Sequence, residues 1–313
     1  MQGTRVSTRG NGAGPVLVTP SLLREWPLPA PGEDKYSRGS VLVVGGARAT
    51  PGAALLAGTA ALRAGAGKLT LAVAGSVAVQ VGVALPECGA IALPETSDGS
   101  VKADGLDRIS SYLDKADAIL VGPGLDDPDL AEELLRALLE RESADGGPKD
   151  GEGAAVVLDA FALGGLTKVE DQLEPWRGRL ILTPNPKEAE ILLGRDIGDL
   201  ENDVAAVAER FGAVVSCQGI VARPPSPEGV GEPELWKITT GYGGLGTSGS
   251  GDVLAGAIAG LRARGTSGAQ AACWGTHLHA AAADRLASRM GPLGFLAREL
   301  ADELPALMLE LNT

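Results

Sequence analysis

Ten consecutive residues carry the strongest chemical signal in this chain: Gly243-Gly244-Leu245-Gly246-Thr247-Ser248-Gly249-Ser250-Gly251-Asp252. The apolar run Val253-Leu254-Ala255-Gly256-Ala257-Ile258 follows directly and predicts a helix with Asp252 in its first turn. The free amides of a helix N-terminus point outward, and the helix dipole adds partial positive charge there. Gly249, Ser250 and Gly251 are therefore expected to form an anion hole, suited to phosphate or to negative charge developing during a reaction. Asp252 is placed either to cap the helix or to act as a general base. A plain N-cap would not need five glycines in the nine residues before that acid.

Three further glycine- or proline-rich turns follow expected strands. Gly45-Gly46-Ala47, continued by Pro51-Gly52-Ala53, lacks both the Lys-Ser/Thr of a P-loop and the G-x-G-x-x-G of a dinucleotide site. Close helix–sheet packing and ligand approach explain it equally well. Gly122-Pro123-Gly124-Leu125-Asp126 makes a rigid turn that lets a ligand come near the backbone. Thr183-Pro184-Asn185-Pro186-Lys187-Glu188 offers Asn185 as a flat donor and acceptor. Asp159 ends a strand and is a candidate for a magnesium or water contact, with a turn cap as the equal alternative. His277 and His279, two apart on a helix, point to different faces and suit structural roles better than one metal. Trp236 and Trp274 are expected in the core.

These loops need a frame. Val41–Val44, Leu69–Val73, Ala118–Val121, Ala155–Asp159 and Leu180–Leu182 are short continuous apolar runs, as expected for strands buried on both faces. Helical segments alternate with them: Pro51 to Ala64, Asp129 to Glu142 behind a capping Asp127, a short helix through Glu188 and Leu192 stopped by Gly194, and Asp203 to Phe211. After Phe211, strands at 213–216, 220–222 and 235–240 surround a Pro-rich loop at 223–228, which predicts antiparallel pairing at one sheet edge. Helices over 252–264, 267–290 and 295–311 close the chain. The expected architecture is α/β: one doubly wound, mainly parallel sheet over residues 19–313 with helices on both faces, antiparallel edge strands and a flexible extension at 1–18. Ligands of such sheets bind at the carboxyl ends of the strands, where all four loops lie. About 40 residues precede the first strand, so no further domain is expected within this sequence before it.

Composition excludes several classes. The net charge of −13 disfavours nucleic acid and anionic membranes as partners, although amides can still bind a phosphate locally. No run of 18 apolar residues exists, so no membrane span is expected. Cys88, Cys217 and Cys273 lie far apart without metal-ligand spacing, which fits a reducing cytoplasm. Only 3 % of residues are aromatic, so the core must be built from Ala, Val, Leu and Ile.

The segments Gly39–Gly46, Gly52–Ala57, Ala61–Gly67, Val121–Leu125, Leu182–Glu188 and Gly249–Gly256 resemble, in content and order, the ADP-dependent NAD(P)H-hydrate dehydratases, whose fold is ribokinase-like. The similarity runs from about Thr19 to Leu309. It implies repair of NADH or NADPH hydrated at carbon 6 of the nicotinamide ring, with ADP (ATP in eukaryotic relatives) and Mg2+ as cofactors. It further implies that Ala53, Gly124, Asn185 and Asp252 touch the hydrate. Gln218, Gly219 and Gly251 would touch the nucleotide. A homo-oligomer, such as a tetramer, is implied as well. Three positions depart from the family pattern: Asn185 replaces a usual His, Phe161 a frequent Asp, and Gln218 a Lys. Phosphoryl transfer to a small alcohol through the same Asp252, as in vitamin-precursor kinases, and non-catalytic nucleotide binding are the alternative functions.

Overall fold

The computed structural model describes residues 14–144, 153–225, 234–241 and 243–312. Among them, one ten-stranded sheet runs in the order β1-β10-β9-β8-β7-β6-β5-β2-β3-β4. Its strands are β1 (Val16–Leu17), β2 (Ser40–Val44), β3 (Lys68–Ala74), β4 (Gly89–Leu93), β5 (Ala118–Val121), β6 (Ala155–Leu158), β7 (Leu180–Leu182), β8 (Val214–Cys217), β9 (Ile220–Arg223) and β10 (Glu234–Lys237). From β4 to β8 every pairing is parallel. The β8–β9 and β9–β10 pairings are antiparallel, as expected for one edge of the sheet.

The helices are α1 (Pro20–Glu25), α2 (Pro51–Arg63), α3 (Ala78–Ala84), α4 (Ser110–Leu113), α5 (Pro128–Ala144), α6 (Phe161–Leu166), α7 (Pro186–Leu193), α8 (Leu200–Phe211), α9 (Ser250–Ala263), α10 (Gly268–Met290) and α11 (Ala297–Asn312). Successive strand residues point to opposite faces, so the core divides into two layers. Val41 and Val43 join α2, α3, α9, α10 and α11 on one face. Leu42 and Val44 join α5, α6, α7 and α8 on the other. On the first face α2 and α9 pack backbone to backbone. A Cβ on Gly256 would come within 2.0 Å of the Ala57 carbonyl oxygen, so glycine is required there.

Local signals account for several boundaries. The Asp127 carboxylate accepts from the amides of Asp129 and Leu130 at the start of α5. Gly194 stops α7 in the left-handed conformation. Several features differ from the sequence expectation. Val16 and Leu17, inside the stretch expected to be a flexible extension, pair in parallel with β10, and Val18 is buried. Residues 1–13 lie outside the described residues. Between Val73 and Ala118 the sequence reading placed no element, yet α3, β4 and α4 stand there. The valine-rich α3 has poor helix propensity, which hid it. The strand expected over 235–240 ends at Lys237, and the Pro-rich loop lies partly outside the described residues.

Candidate active site

The turns expected to carry chemistry all sit at the carboxyl ends of parallel strands. The turns after β2 and β5 are joined backbone to backbone. The Gly46 amide donates to the Pro123 carbonyl at 2.8 Å, and the Ala47 amide to the Gly124 carbonyl at 2.8 Å. The Thr50 hydroxyl also donates to the Gly124 carbonyl, at 2.8 Å. Gly124 holds φ +74°, and a Cβ there would stand 2.4 Å from the Thr50 carbonyl oxygen. The junction thus needs a residue without a side chain, and it presents half-buried Ala53 and Gly124 side by side. Packing and ligand approach, equal alternatives for the first turn, are compatible here.

At the end of β6, Asp159 is 5 % exposed, and its carboxylate accepts from the Thr183 hydroxyl at 2.8 Å. Burial, and then repulsion from Asp252, push its pKa up to about 7. The next residue, Ala160, holds φ +51°. At the start of α7, Asn185 and Glu188 form a reciprocal cap. The Glu188 amide donates to the Asn185 side-chain oxygen at 3.0 Å, and the Asn185 amide donates to the Glu188 carboxylate at 2.8 Å. The exposed Asn185 side chain is therefore held by its oxygen. Burial raises the Glu188 pKa against the pull of that amide.

Gly249 (φ +88°) is the N-cap of α9 and lies against the side chain of Leu56 in α2. Ser250 is buried. Its hydroxyl donates to the Leu245 carbonyl at 2.6 Å and its amide to the Thr247 carbonyl at 3.2 Å, so Ser250 folds the glycine loop upon itself. Gly251 is exposed, and Asp252 is half-buried beside it in the first turn. Burial, and then the charge of Glu188, push the Asp252 pKa up to about 6. Asp159, Glu188 and Asp252 thus interact as one acidic group reached from β6, α7 and α9.

After β8, Gln218 (φ +48°) and Gly219 (φ +83°) form the tight turn into β9, with Gln218 exposed. Besides Ala160, Gln218 is the only non-glycine residue with positive φ among the described residues, and both stand at this end of the sheet. Cys217 is buried, its thiol pushed up to about 12 by burial and then by Glu188, so it offers no nucleophile. His277 and His279 are buried in α10 with pKa values lowered by burial, the second to about 4. Among the described residues no three His, Cys, Asp or Glu side chains converge as metal ligands.

The structure therefore brings Asp159, Asn185, Glu188 and the glycine-loop acid together. Thr183 and Glu188 were not among the expected site residues. Their signal was the spacing from Thr183 to Glu188, which sets a hydroxyl before the cap and a carboxylate inside the first turn. A cavity of about 620 Å³ lined by Asp117, Arg141, Arg179 and Arg262 lies at the amino ends of β5, β6 and β7. It is at the opposite end of the sheet from every one of these groups and is not the site.

The family model for NAD(P)H-hydrate dehydratase matches residues 41–306. An ADP-dependent (S)-NAD(P)H-hydrate dehydratase of Xanthomonas campestris is 40 % identical, over 98 % of this chain and 98 % of its own. The bifunctional NAD(P)H-hydrate repair enzyme of Moorella thermoacetica is 35 % identical over 88 % of this chain, which spans only 50 % of that longer protein. The crystal structure of a Bacillus subtilis ADP/ATP-dependent NAD(P)H-hydrate dehydratase grown with ATP and Mg2+ is 27 % identical, with a TM-score of 0.71 over 95 % of this chain and 98 % of its own. A ribokinase-like protein of Enterococcus faecalis, 20 % identical, shares the fold with a TM-score of 0.77 over 97 % of this chain and 99 % of its own. A family match over most of the chain, on a ribokinase-like sheet whose strand ends carry the expected glycine loops, places this protein: it belongs to the NAD(P)H-hydrate dehydratase family.

Proposed function

We propose that this protein is an ADP-dependent hydro-lyase that removes water from NADH or NADPH hydrate and returns NADH or NADPH. The observation that carries the mechanism is Asp252, half-buried beside the amides that open α9, with a pKa near 6. At neutral pH it is ionised and can take a proton. Hydroxide is a poor leaving group, and a phosphorylated hydroxyl leaves easily. Asp252 removes the proton of the ring hydroxyl as that oxygen attacks the terminal phosphorus of ADP, and AMP departs. Phosphate then leaves carbon 6 with the C–O electron pair, and carbon 5 releases a proton to solvent, which forms the C5=C6 double bond of the dihydropyridine.

The amides of Gly249 and Gly251 stabilise charge on the transferred group, and Ser250 holds their loop in shape. Ala53, Gly124 and Asn185 bound the hydrate. Gln218, Gly219 and Gly251 border the nucleotide, with the neutral Gln218 offering hydrogen bonds without a charge. Mg2+ commonly takes one or two carboxylates together with phosphate oxygens. Asp159 and Glu188 are the carboxylates that would hold it, since a dication would offset the burial that raises both acids and the repulsion from Asp252 that adds to it at Asp159. When bound there, it would neutralise phosphate charge. Assembly into a homo-oligomer belongs to the same proposal.

The test is absorbance at 340 nm with hydrated NADH or NADPH, Mg2+, and ADP or ATP in parallel. A nucleotide-dependent rise supports the dehydratase. Thermal stabilisation by nucleotide without a rise points to the small-alcohol kinase or to a binder. Asp252→Asn is expected to reduce turnover at least 10³-fold, on the order of a lost general base, while ADP still raises the melting temperature. Near-normal turnover in that variant removes Asp252 as the base.

A further inference from the structure

A dinucleotide hydrate carries a negatively charged diphosphate beyond its reacting ring. A chain of net charge −13 repels that group, and so do the acids gathered at the carboxyl edge of the sheet. A cation is therefore needed on the hydrate side of the site. Sheet order shows which side that is. Along the carboxyl edge, Gln218 follows β8, Asp159 follows β6, Gly124 follows β5, and the turn leading to Ala53 follows β2. With ADP bordered at the β8 end, the rest of the hydrate has the ends of β3 and β4 to cross. Arg48 stands there. It follows Ala47, whose amide joins the Gly124 carbonyl, and its own amide donates at 3.0 Å to the Gly99 carbonyl in the turn after β4. Its guanidinium donates to the Ser97 carbonyl in the same turn. Gly99 packs against the side chain so closely that a Cβ there would stand 2.4 Å from the Arg48 Cβ.

The charge of this anchored arginine is not spent on a carboxylate. Arg48 is exposed, and among the described residues it forms no ion pair. Glu95 is the acid near it. That carboxylate instead accepts from the Ser76 amide at 3.1 Å and the Ser76 hydroxyl at 2.9 Å, and Ser76 holds its pKa low, with the Arg48 charge the smallest of the causes. Lys187 and Lys102 differ, each paired with an acid: Lys187 with Glu190 at 2.7 Å and Lys102 with Asp104 at 2.8 Å. A guanidinium has five N–H donors in a planar fork that matches phosphate oxygens, and the bond to Ser97 fixes its direction while leaving donors free. We propose that Arg48 binds the diphosphate of NADH or NADPH hydrate and so sets which way the dinucleotide lies across the sheet; this rests on the dehydratase reading above. The site then handles its two anionic ligands separately, with the glycine loop and carboxylates for ADP and Arg48 for the hydrate.

The test is calorimetric titration of NADH hydrate, NADPH hydrate and ADP, each alone, into the full chain, as wild type, Arg48→Gln and Arg48→Lys. Glutamine keeps a donor for the Ser97 carbonyl and removes the charge. Circular dichroism and thermal melting verify folding. Arg48→Gln is expected to raise the Kd of both hydrates at least tenfold and to leave that of ADP within about twofold. Arg48→Lys keeps the charge without the fork and should fall between wild type and Arg48→Gln. Added salt should weaken hydrate binding to the wild type, and an affinity indifferent to salt overturns the contact whatever the variants do. A folded Arg48→Gln that binds both hydrates as tightly as wild type overturns the contact and leaves the dehydratase reading standing. An equal loss of ADP affinity also overturns it, since the turn has then been disrupted as a whole. A loss confined to NADPH hydrate overturns the diphosphate contact and moves Arg48 to the 2′-phosphate. A wild type that binds neither hydrate overturns the contact together with the dehydratase reading.

Discussion

At the scale of single residues, the site is built around acids that repel one another in a buried setting. Asp252 and Asp159 are raised to about 6 and about 7, and Glu188 is raised too. A base must be ionised to act, so the proposed turnover falls as pH drops through about 6. Glu188→Gln keeps an oxygen for the Asn185 amide and removes one negative charge beside Asp252. The acid limb of the pH–rate profile should then move to lower pH, and an unchanged limb would separate Glu188 from Asp252. Asp159 makes a second prediction. Its folded pKa lies above the unfolded value near 3.8. The folded state therefore holds the extra proton, and stability is lost as pH rises from about 4 through about 7. Asp159→Asn retains an acceptor for the Thr183 hydroxyl and never ionises. It should stabilise the ligand-free protein at pH 8 by about 1–3 kcal/mol and have little effect near pH 4, as read by urea unfolding. Asp252 was legible as the acid closing a glycine loop. Its coupling to Asp159 was not, because 93 residues separate them and only the strand order brings them near.

At the scale of elements, the packing of α2 on α9 fixes where the glycine loop stands. Both helices are rich in Ala and Gly on their facing sides. Gly256 admits the Ala57 carbonyl, and Gly260 admits that of Ala61, where a Cβ would stand 2.4 Å away. Helix propensity alone predicts that Gly256→Ala stabilises α9 by about 1 kcal/mol. Overpacking predicts the opposite, a loss of about 1–3 kcal/mol. The structure favours the loss, and denaturant unfolding of this variant decides between the two. The core strands were legible because each is a continuous apolar run closed by Gly, Pro or Asp. The α3 helix was not, because its valines carry no helical preference and its stability comes from Ala78 and Val81 packing into the core.

At the scale of the whole molecule, the doubly wound topology gives the protein two unlike ends. Helices α2, α7 and α9 begin where strands end, which gathers amides and acids at the carboxyl edge. Helix C-termini gather at the other edge, and arginines meet the exposed carbonyls there. Arg264 donates to the Ala64 carbonyl behind α2 at 3.1 Å and to the Pro29 carbonyl at 3.0 Å. Arg179, with its side chain 2 % exposed, pairs with Glu142 and donates to the carbonyls of Ala154 and Pro175. Arg179→Leu leaves Glu142 without its counter-charge and should cost roughly 3–5 kcal/mol. A melting curve within a degree or two of wild type would show that the pair is dispensable. The sequence by itself determined the α/β class, the glycine-loop helix with Asp252, and a net charge that disfavours nucleic-acid and anionic-membrane partners, because those rest on local periodicity, local spacing and total charge. Tertiary structure alone decided the rest. Parallel pairing of β6 with β7 sets Asp159 against Thr183, the Asn185–Glu188 cap turns a second carboxylate toward Asp252, and pairing of Val16 and Leu17 with β10 draws the start of the described chain into the sheet. Each of these depends on contacts between residues distant in sequence or on how deeply a side chain is buried, and neither is written in the order of the residues.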